Sequence, residues 1–269
     1  MDIGASILLG IVQGITEFLP ISSSGHLVLV HSLLGIENDS SLAFDAVLQM
    51  ATVLAVIVYF FDELYVLFQA VLRKLGRLPV NEKDITIVKA LAVGTIPGAL
   101  LGIFLESYMD EAFRSPFVVA GMLILGSALF MYAEYVYENS FHTGEIDVRT
   151  GFKIGLFQML ALIPGMSRSG ASIAGGMILG LNRAEAARFS FLLALPIILG
   201  AGGKKLFELI SSPVTVDWVA LGVGACVAFA VGLAAIHFML AFIRTHTLWP
   251  FIWYRIILAA FIIFIAFFS

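Results

Sequence analysis

Uninterrupted apolar runs dominate this chain and restrict it to folds that live in a lipid bilayer. Residues 42–61, 85–105, 117–137, 218–243 and 251–268 are each nearly free of charge and each roughly 18 residues or longer, enough for a helix to cross a hydrocarbon core. A sixth run, 186–210, contains Pro196 and the glycines Gly200, Gly202 and Gly203, which predicts a kinked span supported by its neighbours, with Lys204 and Lys205 at the interface. Only 13% of the residues are charged and 60% are hydrophobic, whereas a soluble domain carries about 25% charged residues. The expected fold is an all-α polytopic membrane protein, one integral domain over residues 1–269 with about six spanning helices. No Lys or Arg precedes Arg73, so the basic start of a secretory signal peptide is missing and the first apolar stretch is expected in the mature protein.

Two further apolar stretches do not read as ordinary spans. Residues 7–36 are broken by Pro20 and the polar run Ser22, Ser23, Ser24, Gly25, His26; residues 152–181 are broken by Pro164, Gly165, Ser167, Arg168, Ser169 and Gly170. Unpaired backbone groups cannot face lipid, so each stretch is expected to be a re-entrant hairpin, two half-helices meeting at a polar tip inside the protein. At one constant offset the stretches match without a gap: Gly10 with Gly155, Gln13 with Gln158, Ser22 with Ser167, Ser24 with Ser169, Gly25 with Gly170, Gly35 with Gly180 and Phe44 with Phe189. Paired broken segments indicate an internal repeat, about 7–61 and 152–206, with a site at its interface. Three crossings separate the hairpins, an odd number, so the repeat should be inverted. Five of the chain's 15 basic residues, Arg73, Lys74, Arg77, Lys83 and Lys89, fall in one short connection, which the positive-inside rule places in the cytoplasm. Glu37 and Asp39 then lie on the extracytoplasmic side.

The tips carry the chemistry. Gln13 and Glu17 lie one helical turn apart on a shared face, as two ligands or as a ligand and its orienter. An intramembrane carboxylate is a functional candidate by default, the alternative being a hydrogen bond to the nearby broken backbone. Ser22, Ser23, Ser24 and Gly25 can offer donors to an anion or cap a half-helix beginning near Leu27. A histidine side chain ordinarily titrates near neutrality, so His26 is a candidate base or nucleophile, with Ser23 in reach; His31 reads as a packed or interfacial histidine. Arg168, between Ser167 and Ser169, needs an anionic partner, either Glu17 or a phosphate. The surrounding hydroxyls, Ser172 included, favour phosphate. Together the tips could bind a phosphate group and hydrolyse it.

Other chemistries are disfavoured. A net charge of -4 gives no basic excess for nucleic acid, and no Walker-type loop indicates ATP-driven work. The single cysteine, Cys226, allows no internal disulfide and no Cys-based metal site. The lipid phosphatases with Ser-Arg-x-x-x-His signatures are not matched, because no His follows Arg168 within that reach. An inverted-repeat transporter or lipid flippase is the alternative from another class; transport needs a binding site but no Ser-His-Glu-Arg set. An intramembrane serine protease fits less well, since a cation among hydroxyls suits phosphate better than an amide.

QGITEFLPISSSGH over residues 13–26 and PGMSRSGAS over residues 164–172 closely resemble the two signature motifs of the BacA-type undecaprenyl-diphosphate phosphatases. The resemblance extends over nearly the whole chain, including LGLNRAEAARFSFLLALPIILGA after the second motif. It implies removal of the terminal phosphate from a polyprenyl diphosphate, regenerating the carrier lipid for cell-wall polymer synthesis and giving bacitracin resistance. By motif, Glu17 matches the second acidic position of a Glu/Gln-x-x-x-Glu element with Gln13 at the first, Ser23 and His26 match the nucleophile and its neighbour, and Arg168 matches the phosphate-binding arginine. Ser22, Ser24, Gly25, Ser167, Ser169, Gly170 and Ser172 would line the substrate. Gln13 stands where other members carry Glu, and Ser172 where Thr is common. The family's divalent cation, Mg2+ or Ca2+, would fall to Glu17 and Gln13, and a neutral Gln13 binds it less strongly than a carboxylate. The implied partners are the lipid substrate and membrane lipids, with a homodimer as one possible assembly. The implied setting is the cell membrane, with the site open to the extracytoplasmic side.

Overall fold

The computed structural model describes residues 2–35, 39–112, 115–140, 142, 144–211 and 217–268. Eleven helices follow one another in these residues: α1 Ile3–Phe18, α2 Ser23–Leu34, α3 Asp39–Tyr59, α4 Phe61–Leu75, α5 Glu82–Ala112, α6 Pro116–Glu138, α7 Val148–Leu160, α8 Arg168–Ile178, α9 Arg183–Ser211, α10 Trp218–Ile243 and α11 Trp249–Phe268. Glu37 lies outside the described residues. Caps fix several starts: Asp2 accepts from Ala5 N at 2.7 Å, Asp147 from Thr150 N at 2.7 Å, and Ser115 from Val118 N at 3.4 Å ahead of Pro116. Each of these side chains takes up one of the donors a helix start leaves free.

Five of the described helices, α5, α6, α9, α10 and α11, are long and apolar enough to cross a membrane. The sixth expected span, 42–61, is α3, whose end at Tyr59 falls two residues short of the run's end. There the chain bends by 79° between Tyr59 and Phe61. It continues as α4, whose Phe61, Tyr65, Phe68, Leu72 and Leu75 are exposed. Asp62 and Glu63 in its first turn and Arg73 and Lys74 in its last could not follow α3 along a bilayer normal, so α4 has the make-up of an interfacial helix. The run over 186–210 forms the single helix α9 through Pro196.

The hairpin arms are too short to span. Helices α1, α2, α7 and α8 contain 16, 12, 13 and 11 residues, lengths of about 16–24 Å against a core of about 30 Å. Small residues let each first arm press against a helix of the other half, the usual packing device where lipid removes the hydrophobic drive. In α1 a Cβ on Gly10 would come within 2.5 Å of Gly224 O, and against α7 a Cβ on Gly94 would come within 2.6 Å of Gly151 O. Thus α1 lies on α10 and α7 on α5, while α6 packs on α11. The core centres on Phe18, Phe130, Phe189, Phe191, Ile173 and Met177, all at most 1% exposed. Near the starts of α9 and α11, Glu134 pairs with Arg183 and accepts Leu248 N at 2.6 Å, and Arg188 pairs with Glu63 and Glu185.

Candidate active site

The two tips have one backbone design. Ser22 and Ser167, the residues before α2 and α8, both take φ 74, a left-handed value that costs a non-glycine residue about 1–3 kcal/mol. The strain is held by matching bonds. Ser22 Oγ accepts from Gly25 N at 3.3 Å and Ser167 Oγ from Gly170 N at 3.2 Å, while Ser22 meets Ser24 at 3.2 Å and Ser167 meets Ser169 at 3.3 Å. The second half-helix therefore starts at Ser23, earlier than the expected Leu27, because Ser22 itself is the cap. Ser23 and Ser24 are lifted into the first turn.

The tips meet. Gly165 N donates to Ser24 Oγ at 3.2 Å, and Ser169 Oγ donates to Leu19 O at 3.4 Å. At the junction Glu17, 4% exposed, receives donors on both oxygens: Arg168 Nη2 at 2.8 Å and Gln49 Nε2 at 3.5 Å on Oε1, Gln13 Nε2 at 2.9 Å and Ser23 Oγ at 2.8 Å on Oε2. Of the two partners open to Arg168 in the sequence, the structure shows Glu17. It engages only one nitrogen, for Arg168 Nε and Nη1 are buried and have no hydrogen-bond partner among the described residues. Each such donor carries an unmet desolvation cost of about 1–3 kcal/mol, which an anion could recover through the fork geometry of the guanidinium.

The expected residues do not all face this point. Ser23 bonds to Glu17 and not to His26, whose Nδ1 lies 2.7 Å from Ser22 O and whose Nε2 lies 2.7 Å from Tyr254 Oη. Ser172 is fully buried and turned toward α9, with Oγ donating to Arg168 O at 2.7 Å and lying 2.5 Å from Ser190 Oγ; it holds α8 in place. Gly170 sits where a side chain would run into the Phe130 ring, so it sets the approach of α8. His31 is packed against Asp45, 3.0 Å from both carboxylate oxygens.

Three residues absent from the sequence expectations join the site. Gln49 reaches Glu17 from α3. Tyr254 reaches His26 from α11. Arg255, fully buried, donates to Pro20 O at 3.3 Å in the first tip and Gly165 O at 3.1 Å in the second, as well as to Met122 O and Leu123 O on α6. Its guanidinium lies 4.8 Å over the Phe130 ring, and Gly126 leaves the space it fills. A charge within the apolar run 251–268 was the available signal for Arg255. The same rule that singles out Arg168 applies to it.

A multi-pass helical membrane protein whose two broken helices join a carboxylate, a serine hydroxyl and a half-engaged arginine belongs among proteins that handle anionic groups within the bilayer. Comparison with known sequences makes this specific: the model of the family described as bacitracin resistance protein BacA matches residues 6–261, and the chain belongs to that family. Similar proteins include an undecaprenyl-diphosphatase of Chloroherpeton thalassium, 41% identical over 275 residues, 98% of this chain and 96% of that one. Those of Idiomarina loihiensis and Micrococcus luteus are 41% and 40% identical, covering 96% and 94% of this chain and 97% and 93% of their own.

Proposed function

We propose that the protein hydrolyses undecaprenyl diphosphate to undecaprenyl monophosphate and inorganic phosphate, recycling the carrier lipid for cell-wall polymer synthesis. The observation that carries this reading is Arg168, whose Nε and Nη1 are buried without partners beside Ser23 and Glu17. The relatives' names favour an enzyme over the transporter alternative.

In the reaction, Arg168 holds the terminal phosphate through its two free donors and stabilises the charge that builds on it. The Ser23 hydroxyl already donates to Glu17, the arrangement of a nucleophile with its base. Its oxygen bonds to the terminal phosphorus, its proton passes to Glu17, and the bridging P–O bond breaks to release the lipid monophosphate. Water, giving a proton to His26 Nε2, then cleaves the phosphoserine; the proton held on Glu17 returns to the Ser23 oxygen, and His26 gives up its proton as phosphate leaves.

A divalent cation belongs to the same reading. The tips offer oxygen donors of the kind Mg2+ and Ca2+ take, with Glu17 as the sole carboxylate among them, and no described group of three His, Cys, Asp or Glu is placed to hold a metal. Such a set suits an ion that draws most of its ligands from the diphosphate and water. Glu17 and the Gln13 amide oxygen would be the protein's share, and the bound cation would offset diphosphate charge.

For the setting, the reading is the cell membrane with the α4 end in the cytoplasm, since Arg73, Lys74, Lys83, Lys89, Arg183 and Arg188 all belong to helix ends gathered there. In this reading the site opens to the extracytoplasmic side, as the resemblance in sequence implies. The direct test is phosphate release from a polyprenyl diphosphate by the protein purified in detergent, with and without chelator. Release that Arg168→Ala abolishes is expected; binding without release would return the transporter reading.

A further inference from the structure

One hydroxyl beside the tips has no part in the mechanism above. Tyr254 Oη lies 2.7 Å from His26 Nε2, and the two rings are parallel to within 5° with centroids 5.6 Å apart. The other ring nitrogen settles the direction of this bond. His26 Nδ1 is 2.7 Å from the carbonyl oxygen of Ser22, and a carbonyl can only accept, so Nδ1 carries the proton. In the neutral ring the lone pair is therefore on Nε2, and Tyr254 donates to it.

The next residue holds this pairing in register. Arg255 is 0% exposed and ties α11 to Pro20 O and Gly165 O, whereas its neighbour Tyr254 is 44% exposed. One residue fixes α11 to both tips, and its neighbour reaches past them to the histidine.

We infer that Tyr254 is a positioning residue for His26: with the Ser22 carbonyl fixing the Nδ1-protonated tautomer, the Tyr254 hydroxyl aims the ring and occupies the Nε2 lone pair until an incoming phosphate or water takes that place. Without the hydroxyl the ring loses one of its two anchors, and Nε2 is open to any electrophile. The kinetic consequence rests on the hydrolase reading. The chemical consequence does not.

The test uses the full-length protein in detergent with Tyr254→Phe, which keeps the ring and removes the donor. Diethyl pyrocarbonate acylates unprotonated imidazole nitrogens, and mass spectrometry resolves its rate at each of the five histidines. Labelling of His26 should accelerate about fivefold, the weight of one hydrogen bond, with His31, His142, His237 and His246 unchanged. Turnover should fall about tenfold with KM within about twofold, since the aim of His26 matters in the transition state. A His26 labelling rate unchanged by Tyr254→Phe overturns the inference whatever the activity. If the labelling changes but even the unaltered protein releases no phosphate from a polyprenyl diphosphate, the hydrolase reading fails and the Tyr254–His26 link stands. Should Tyr254→Phe fail to fold, visible as faster labelling at all five histidines, Tyr254→Gln against Tyr254→Met carries the same test, one side chain having a donor and the other none. Slower His26 labelling in the Gln variant is expected; equal rates overturn the inference.

Discussion

Arg168 shows how much one side chain decides here. Its Nη2 neutralises Glu17, and its two remaining nitrogens are buried donors without acceptors. A lysine could supply the charge but not the fork. Arg168→Lys should therefore lower phosphate release by about 10²–10³-fold, nearly as far as Arg168→Ala, the scale found when one oriented oxyanion donor is lost. Near-normal turnover in the lysine variant would mean that Arg168 acts as a point charge. Gln13 gives a second prediction, because its amide donates to Glu17 where a second carboxylate would bind a cation more strongly. Gln13→Glu should lower the Mg2+ concentration needed for half-maximal activity, measured by titration after chelation; an unchanged value would remove Gln13 from any cation site. At this scale the sequence is readable where charge is out of place. Glu17 and Arg168 stand out by that rule, and Arg255 obeys it as well. Gln49 and Tyr254 are not visible this way, because neither carries a charge and only the packing of α3 and α11 brings these two to the tips.

Among the elements, the tips combine strain and cap in one residue. Ser167 combines φ 74 with a hydroxyl that caps α8. Ser167→Ala loses the cap, about 1 kcal/mol, and keeps the strained backbone, whereas Ser167→Gly loses the cap but relaxes the strain. The glycine variant should unfold at higher temperature than the alanine variant in detergent; the reverse order would show that the left-handed backbone is not strained. Most elements follow from hydropathy alone, and α10 has the same ends as the apolar run 218–243. The bend after α3 does not, since Tyr59, Phe60 and Phe61 include neither proline nor glycine. The charged first and last turns of α4 suit an interfacial helix better than a continued span, but no residue at the bend itself marks it. The start of α2 is likewise hidden, because a run of three serines does not reveal which of them caps.

Across the whole molecule, each hairpin leans on a helix from the other half, so the tips are joined only when both halves are in place. The proposed orientation rests on the basic helix ends. Cys at Asp39 should label from outside the cell and Cys at Asn81 only after permeabilisation; labelling of both from one side would contradict this topology. In the proposed reaction Ser23 in the first half and Arg168 in the second act as one unit through Glu17. Turnover and lipid-diphosphate affinity of the unaltered protein, Ser23→Ala, Arg168→Ala and the double variant decide whether they do. Ser23→Ala should depress turnover far more than affinity, and Arg168→Ala should depress both. The double variant should lose much less than the product of the single losses, as groups acting as a unit do. Fully multiplicative losses, or normal turnover in Ser23→Ala, would contradict a single site built from two tips.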